Sequence, residues 1–340
     1  MAVQHTRRVD QRTDEVHVSP VVETTDPGPA TVAMPVRRLI AGTDLAVFPV
    51  AIGGSVFGWT ASADDTDAIL DRYAAAGGNF IDTADSYASG RSEVEIGRWM
   101  RSRANRDGMV VATKIGRHAD YAGLSRRTVT AAVDASLNRL GTDYIDLLYL
   151  HEQDPDVPLE ETLGAVRDLI TAGKVRVVGA SGFPIDALIE ARILASTGYP
   201  SLAAFETEYS LANRADFEGD RQLVATQQGL AVMPYFALAS GFLTGKYRAR
   251  SDFGGSTRST RASAHFNRRG LRILRALDAV AAAHGARPAT IALAWLLTRR
   301  AVCAPVVSAS EPTQVESLVR APQIALSRSQ LLELDRASRT

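Results

Sequence analysis

Residues 48–58, Phe-Pro-Val-Ala-Ile-Gly-Gly-Ser-Val-Phe-Gly, decide between two α/β folds. Residues 48–54 have the nearly continuous apolar character of a buried parallel strand, which runs into a glycine-rich turn. A doubly wound sheet that binds a dinucleotide carries G-x-G-x-x-G at this turn, because those glycines let the backbone approach the pyrophosphate. Here the glycines stand at 53, 54 and 58, which is a different spacing. The turn therefore favours a barrel over a doubly wound sheet.

The rest of the chain repeats one β/α unit. Eight short apolar segments predict parallel strands, at residues 48–54, 79–85, 109–115, 145–151, 175–181, 203–209, 230–237 and 303–309. Amphipathic stretches between them begin at polar caps and end at glycines, as at 64–77, 92–103, 125–141, 159–173 and 185–198. We expect an α/β fold, a (β/α)8 TIM barrel. A long loop at 238–269 follows strand seven, and residues 327–338 predict an extra C-terminal helix.

Composition and charge exclude several classes of protein. The 340 residues carry 38 Lys+Arg and 38 Asp+Glu, and this neutral balance argues against binding to nucleic acid or anionic membranes. The single cysteine excludes an internal disulfide, and the scattered histidines predict no metal site. Without a long apolar run or a leader-like segment, we expect a cytoplasmic protein. Residues 1–34 are expected to be a flexible N-terminal extension, and residues 35–340 the barrel domain.

Four chemically useful side chains fall at the ends of three adjacent predicted strands. Asp82 and Tyr87 follow strand two, Lys114 ends strand three, and His151 ends strand four. Taken singly, each has a structural explanation: a turn cap, an ion-pair partner, a buried histidine. Together at matching depth they predict an active site, because the C-terminal strand ends form the active face of a barrel.

These four residues suit the reduction of a carbonyl group by hydride. The oxygen gains negative charge and must be protonated, and a tyrosine can be the acid. Burial aside, an ammonium about 4 Å away would lower the pKa of Tyr87 by up to about three units. Asp82 would balance the charge of Lys114, and a neutral His151 would donate a hydrogen bond to the substrate.

Four motifs give the chain its resemblance to a known family. They are Asn79-Phe80-Ile81-Asp82-Thr83-Ala84-Asp85-Ser86-Tyr87 with Gly90 and Glu93, Thr113-Lys114, Leu150-His151, and residues 234–247, PYFALASGFLTGKY. In order and position they resemble the aldo-keto reductase superfamily, from about residue 36 to the C-terminus. The resemblance implies that Asp82, Tyr87, Lys114 and His151 are catalytic, with Tyr87 as the general acid.

The resemblance also implies a nicotinamide cofactor, NADPH with NADH as the alternative, bound across the barrel mouth. The matching cofactor positions are Gly53, Gly54, Ser181, Gly182, Glu206, Tyr235, Phe236, Leu238, Ser240, Leu243, Lys246, Arg261, Ser310 and Gln314. Two of them depart from the family pattern. Gly182 replaces an asparagine and Glu206 a glutamine that usually hold the nicotinamide carboxamide, and a glutamate can donate to its oxygen only when protonated.

The resulting hypothesis is an NAD(P)H-dependent oxidoreductase that reduces an aldehyde or ketone to an alcohol. Its partner is then a small carbonyl compound, and loop residues expected to line the substrate pocket are Phe57, Trp59, Glu152 and Phe183. Two alternatives remain open. One is a ketoreductase acting on a sugar or nucleotide sugar; the other is a cofactor-bound redox sensor or regulatory subunit with little turnover.

Overall fold

The computed structural model describes residues 37–339 of the chain. Eight parallel strands form the centre of the fold. Each strand lies beside its neighbours in the chain, and the last of the eight also lies beside the first. The bounds are β3 Ala51–Gly53, β4 Phe80–Asp82, β5 Val110–Ile115, β6 Ile145–Leu150, β7 Val175–Ser181, β8 Leu202–Glu208, β9 Ala231–Tyr235 and β10 Val306–Val307. These side chains are almost all buried, as the apolar runs predict.

Backbone hydrogen bonds between β9 and the residues before β10 close the sheet into a barrel. Val232 N donates to Ala301 O at 2.8 Å, and Cys303 N donates to Val232 O at 2.8 Å. The predicted (β/α)8 barrel is therefore confirmed. The eighth strand is much shorter than the predicted 303–309, because Pro305 has no N–H to donate and interrupts the pairing.

Helices alternate with these strands and pack around them. They are α1 Ala63–Ala75, α2 Arg91–Arg103, α3 Arg126–Leu140, α4 Leu159–Thr171, α5 Ile185–Ser196, α6 Asp220–Gln228, α7 Thr257–Ser263, α8 Arg268–Ala283, α9 Pro288–Leu297, α10 Val315–Val319 and α11 Arg328–Ser338. Ser125 caps α3 by accepting from Thr128 N, and Gly141 ends it in a left-handed conformation. The predicted C-terminal helix is confirmed as α11, with Ser327 as its cap.

A small hairpin that the sequence pattern did not predict covers the N-terminal end of the barrel. Its strands, β1 Arg38–Leu39 and β2 Ala46–Val47, pair antiparallel. The Arg38 guanidinium donates to Val302 O and Leu297 O, each at 2.9 Å. Ile40 and Val47 join a buried apolar cluster beneath the strands. This end of the barrel is thereby filled, and the opposite, C-terminal strand ends are left to form a site.

The predicted loop at 238–269 is more ordered than its composition indicates. It holds short 3₁₀ helices at Ala239–Thr244 and Arg250–Asp252, then α7. The rings of Tyr247 and Phe253 stack with centroids 4.4 Å apart, which fixes the segment by side-chain packing that composition does not reveal.

The expected N-terminal extension, 1–34, lies entirely outside the described residues, so its character stays a prediction. Of the helices described, none has the length and apolar character needed to cross a lipid bilayer.

The turn after β4 holds two consecutive residues in the left-handed region. Ala88 has φ 50° and ψ 35°, and Ser89 has φ 55° and ψ 47°. Each such residue costs about 1–2 kcal/mol unless it is glycine. Gly90 follows at φ 85°, with the Arg139 side chain packed where a Cβ would stand. The turn carries Tyr87 at its start, so this strain is located beside the predicted active site.

Replacing Ala88 with glycine should relieve part of this strain. We expect Ala88→Gly to raise the free energy of unfolding by about 0.5–1 kcal/mol, since the gain in the folded state exceeds the added freedom of the unfolded chain. Urea denaturation followed by circular dichroism measures the change. The matched control is Ala131→Gly within α3, which should lose about 1 kcal/mol. A destabilised Ala88→Gly would show that the turn is not strained.

Candidate active site

A cavity of about 1010 Å³ opens at the C-terminal ends of the barrel strands. Its volume lies at the upper end of the range for ligand sites, roughly 300–1000 Å³. Its floor is formed by residues at the ends of β4, β5, β6 and β8, and its far wall by the loop after β9, α7 and the residues after β10. All four predicted catalytic residues line it: Asp82, Tyr87, Lys114 and His151.

Lys114 stands at the centre of the floor. Its Nζ donates to Asp82 Oδ1 at 2.5 Å and to the carbonyl oxygen of Thr83 at 3.2 Å. Asp82 ends β4 and Lys114 lies near the end of the adjacent β5, so sheet pairing brings the two side chains together. Both are almost fully buried. A charge pair this deep needs both partners, because either one alone would be a buried, uncompensated charge.

Tyr87 and His151 lie on either side of the space above this pair. Lys114 Nζ is 5.5 Å from the centroid of the Tyr87 ring. The rings of Tyr87 and His151 are edge to face, with centroids 6.2 Å apart and an angle of 83° between their planes. The sequence placed these groups on three strands, and the structure brings all of them to one floor.

The tyrosine is less acidic than the sequence analysis expected. Burial raises the pKa of Tyr87 to about 12, while the charge of Lys114 opposes that rise and Asp82 and Glu206 add to it. The expected fall of up to about three pKa units counted the ammonium and left out desolvation, which is the larger effect here. The phenol therefore keeps its proton throughout the neutral range.

The same environment fixes the charge of the other groups. Burial works against a charged Lys114, but Asp82 and Glu206 together outweigh it and raise the pKa of the ammonium. Burial, followed by the charges of Lys114 and Arg117, lowers the pKa of His151 to about 3. At neutral pH the floor thus holds a cationic lysine and a neutral imidazole, which can donate one hydrogen bond.

Glu206 is a second carboxyl beside the lysine. It lies on β8 with 1% of its surface exposed, and its Oε2 is 3.4 Å from Lys114 Nζ. Burial, then the neighbouring Asp82, raises the pKa of Glu206 well above its ordinary value, although Lys114 opposes this. Beside it are Ser181, its partner in the β7–β8 ladder, and Gly182, whose N–H donates to the Glu206 carbonyl oxygen at 2.9 Å.

The far end of the cavity is cationic. Lys246, Arg258, Arg261 and Arg287 line it. Arg258 Nη1 donates to Ser310 Oγ at 3.3 Å, and Arg261 lies 5.4 Å from the centroid of the Phe236 ring. The two acidic lining residues in the described chain, Asp82 and Glu206, are both at the floor. A group that carries phosphates fits this end, since arginine and lysine are the usual phosphate-binding side chains.

The loop after β9 adds a strained backbone to this wall. Phe236, Ala239, Ser240 and Gly241 all have positive φ, of 48°, 49°, 55° and 91°. Non-glycine residues in this region persist where the surrounding structure demands it, which is common at ligand clamps. The loop thus has the character of a binding element.

Twelve of the fourteen predicted cofactor positions line the cavity: Gly53, Ser181, Gly182, Glu206, Tyr235, Phe236, Leu238, Ser240, Lys246, Arg261, Ser310 and Gln314. The other two lie behind its wall. Leu243 is fully buried in the core. A Cβ on Gly54 would meet Ser92 Oγ at 2.6 Å and Thr83 Oγ1 at 3.1 Å, so this glycine serves close packing of the chain.

Only one of the four predicted substrate residues lines this cavity. Trp59 lines the cavity and is 64% exposed. Phe57 and Phe183 do not line this cavity, because both side chains turn inward and are fully buried in the hydrophobic core. Glu152 stands beside the mouth and pairs with Arg117, which does line the cavity, at 2.5 Å.

Sequence reasoning missed Arg117, Arg258 and Arg287, all of which line the cavity. A signal for Arg258 was present, since it lies three residues before Arg261 and so shares a face of α7. Arg117 follows the strand end that carries Lys114. Across residues 37–339 no three His, Cys, Asp or Glu side chains are grouped to hold a metal ion.

Comparisons with known proteins agree with this geometry. The aldo/keto reductase family matches residues 49–339. Norsolorinic acid reductase B of Aspergillus parasiticus is 29% identical over 323 residues, covering 88% of this chain and 83% of the relative. Aryl-alcohol dehydrogenase [NADP(+)] of Phanerodontia chrysosporium is 31% identical over 322 residues, covering 87% and 83%. Aldo-keto reductase ausK of Aspergillus calidoustus is 31% identical over 320 residues, covering 88% and 81%. The chain belongs to the aldo/keto reductase family and is an NAD(P)H-dependent oxidoreductase.

Proposed function

We propose that the protein reduces an aldehyde or ketone to an alcohol with NADPH, and that Tyr87 is the general acid. The observation that carries this proposal is the arrangement of one cavity. Its floor holds a protonated phenol between a cationic Lys114 and a neutral His151, and its far end is lined by cations. The floor suits a carbonyl that becomes an alkoxide, and the far end suits the phosphates of a dinucleotide.

Each floor residue has a separate task. When bound, the nicotinamide cofactor supplies a hydride to the carbonyl carbon. The Tyr87 hydroxyl gives its proton to the carbonyl oxygen as negative charge gathers there, which completes the alcohol. Lys114 stabilises the phenolate that Tyr87 becomes, and Asp82 holds Lys114 in place at 2.5 Å. The neutral His151 donates to the same oxygen and orients it.

The residues that would hold the cofactor follow from the charge of the cavity. Tyr235 would face the nicotinamide ring, and Glu206 and Ser181 would hold its carboxamide. Ser240 and Lys246 would hold the pyrophosphate, and the α7 arginines with Ser310 and Gln314 would hold a 2′-phosphate. This surplus of cations favours NADPH over NADH. One relative carries NADP(+) in its name, which supports the same choice.

An aromatic carbonyl compound is the proposed substrate class. The names of two relatives refer to an aryl alcohol and to norsolorinic acid. The exposed Trp59 indole lies on the cavity wall with Tyr235, and flat aromatic faces such as these stack well on an aromatic ligand.

The first test is Tyr87→Phe. Turnover should fall about 10³-fold, the loss typical of a general acid, while the dissociation constant for NADPH stays within a few-fold. Steady-state NADPH oxidation with benzaldehydes and fluorescence titration measure the two quantities. Tyr144→Phe, at the other end of the barrel, is the control and should keep full activity. Unchanged turnover in Tyr87→Phe would remove the proposed mechanism. Wild-type turnover below about one per minute on every carbonyl compound tried, sugars included, would favour the redox-sensor hypothesis.

The second test addresses the phosphate end. Arg258→Gln should raise the dissociation constant for NADPH about ten- to a hundredfold, because it removes a charged donor, and should change that for NADH less than threefold. Isothermal titration calorimetry measures both. The control is Arg192→Gln on the exposed face of α5. Equal losses for the two dinucleotides would contradict a 2′-phosphate role for Arg258.

The third test concerns the mouth, where Glu152 neutralises Arg117. Exposed pairs like this contribute little and can exchange partners. Glu152→Gln should raise kcat/KM for 4-carboxybenzaldehyde about three- to fivefold, because it frees the guanidinium for a substrate carboxylate, and should leave benzaldehyde within twofold. Arg117→Gln should lower kcat/KM for 4-carboxybenzaldehyde. If neither variant changes the ratio of the two substrates, the pair has no part in substrate choice.

A further inference from the structure

We propose that Glu206 acts as a neutral carboxylic acid, which hydrogen bonds into the cavity and positions the cofactor, and that its ionisation as the pH rises switches reduction off. This inference deepens the proposed function and rests on it. It assigns a chemical state and a task to the buried carboxyl beside Lys114.

The carboxyl group of Glu206 is buried without a hydrogen bond of normal geometry. Among residues 37–339 neither of its side-chain oxygens has a hydrogen-bond partner, although both are buried. Two N–H groups of the Lys114 ammonium are already directed to Asp82 and to the Thr83 carbonyl. The separation of 3.4 Å from Glu206 is long for a charged hydrogen bond, which is usually about 2.7–2.9 Å.

The net charge of the floor determines whether Glu206 is ionised. The titratable groups that face Glu206 come from every neighbouring strand, and in the described chain they are Asp82, Tyr87, Lys114, Tyr149 and Tyr235. Lys114 is their one cation. With both carboxyls ionised, the buried cluster would have a net negative charge, which is costly away from water. A carboxyl in this position takes up a proton instead.

The distances from Lys114 decide which of the two carboxyls holds that proton. Asp82 accepts from the ammonium at 2.5 Å, whereas the nearer oxygen of Glu206 is 3.4 Å away. The shorter distance to Lys114 stabilises the charged form of Asp82 more than that of Glu206, so the proton belongs to Glu206. The raised pKa of Glu206 agrees with this assignment.

The consequence is a different hydrogen-bonding capacity. A carboxylate only accepts, whereas a carboxylic acid has one donor and one acceptor, as a primary amide side chain has. Glu206 lines the cavity next to Ser181 and Gly182, and a carboxamide placed there needs both a donor and an acceptor. The neutral acid therefore does the work of a glutamine.

The rate of reduction depends on the protonation of Glu206. Below its pKa Glu206 is protonated and neutral, and reduction proceeds. Above that pKa a second negative charge stands beside Lys114, which raises the pKa of Tyr87 and repels the alkoxide that forms above it. A loss of activity at high pH that belongs to Glu206 disappears in Glu206→Gln, whereas a loss that belongs to Tyr87 remains in that variant.

Infrared spectroscopy of the cofactor-free protein reads the proton directly. At about pH 8.5 exposed carboxyls are ionised, and so is most of Asp85, whose pKa burial raises to about 7. The infrared spectrum of the wild-type protein should keep a carbonyl-stretch band from a protonated carboxyl. Glu206→Gln should lack this band, and the surface control Glu190→Gln should retain it. Absence of this band from the wild-type protein would overturn the proposal, and it would do so without touching the proposed reductase activity.

The pH profile of reduction is the second readout. The kcat of Glu206→Gln should hold to higher pH than that of wild type, because an amide cannot ionise, and its NADPH dissociation constant should lie closer to wild type than that of Glu206→Ala. Glu206→Ala, which has neither donor nor acceptor, should weaken NADPH binding about tenfold. Rescue by glutamine and loss with alanine support a hydrogen-bonding role. Superimposable pH profiles of wild type and Glu206→Gln would contradict it.

Discussion

The contact between Lys114 and Asp82 is the interaction on which the rest of this site depends. Two adjacent parallel strands, β4 and β5, place an ammonium and a carboxylate 2.5 Å apart where almost no water reaches. Neither charge is tolerable there without the other. With the pair in place, a full positive charge is available beneath a tyrosine and a histidine. Burial, together with this charge, makes the pKa values of those two groups differ from those of their free forms.

Burial has a larger effect than the charge of Lys114 on the pKa values of Tyr87 and His151. The ammonium pulls the pKa of Tyr87 down, but removal from water pushes it up further, to about 12. For His151 the two effects have the same sign, so the ring is neutral at any ordinary pH. The site therefore holds Tyr87 protonated and His151 uncharged. Under the proposed function, Tyr87 gives up its proton only when a stronger base, the reacting oxygen, stands next to it.

The sequence predicts the features that depend on periodicity and on strand ends. Apolar runs located the eight strands, and a parallel barrel must bring the ends of its strands to one face, so the four floor residues could be found before any coordinates. What it missed depends on packing in three dimensions. Loop aromatics such as Phe57 and Phe183 give no sign of which way they turn. Desolvation of Tyr87 depends on neighbours from several strands, and two-residue strands such as those of the N-terminal hairpin are too short to show a period.

The hairpin that Arg38 ties to the carbonyls of Leu297 and Val302 has a consequence for the integrity of the barrel. One guanidinium joins the start of the described chain to Val302, and the neighbouring Cys303 N–H donates to Val232 O of β9. The hairpin therefore fastens the barrel beside the seam at which β9 meets the residues before β10.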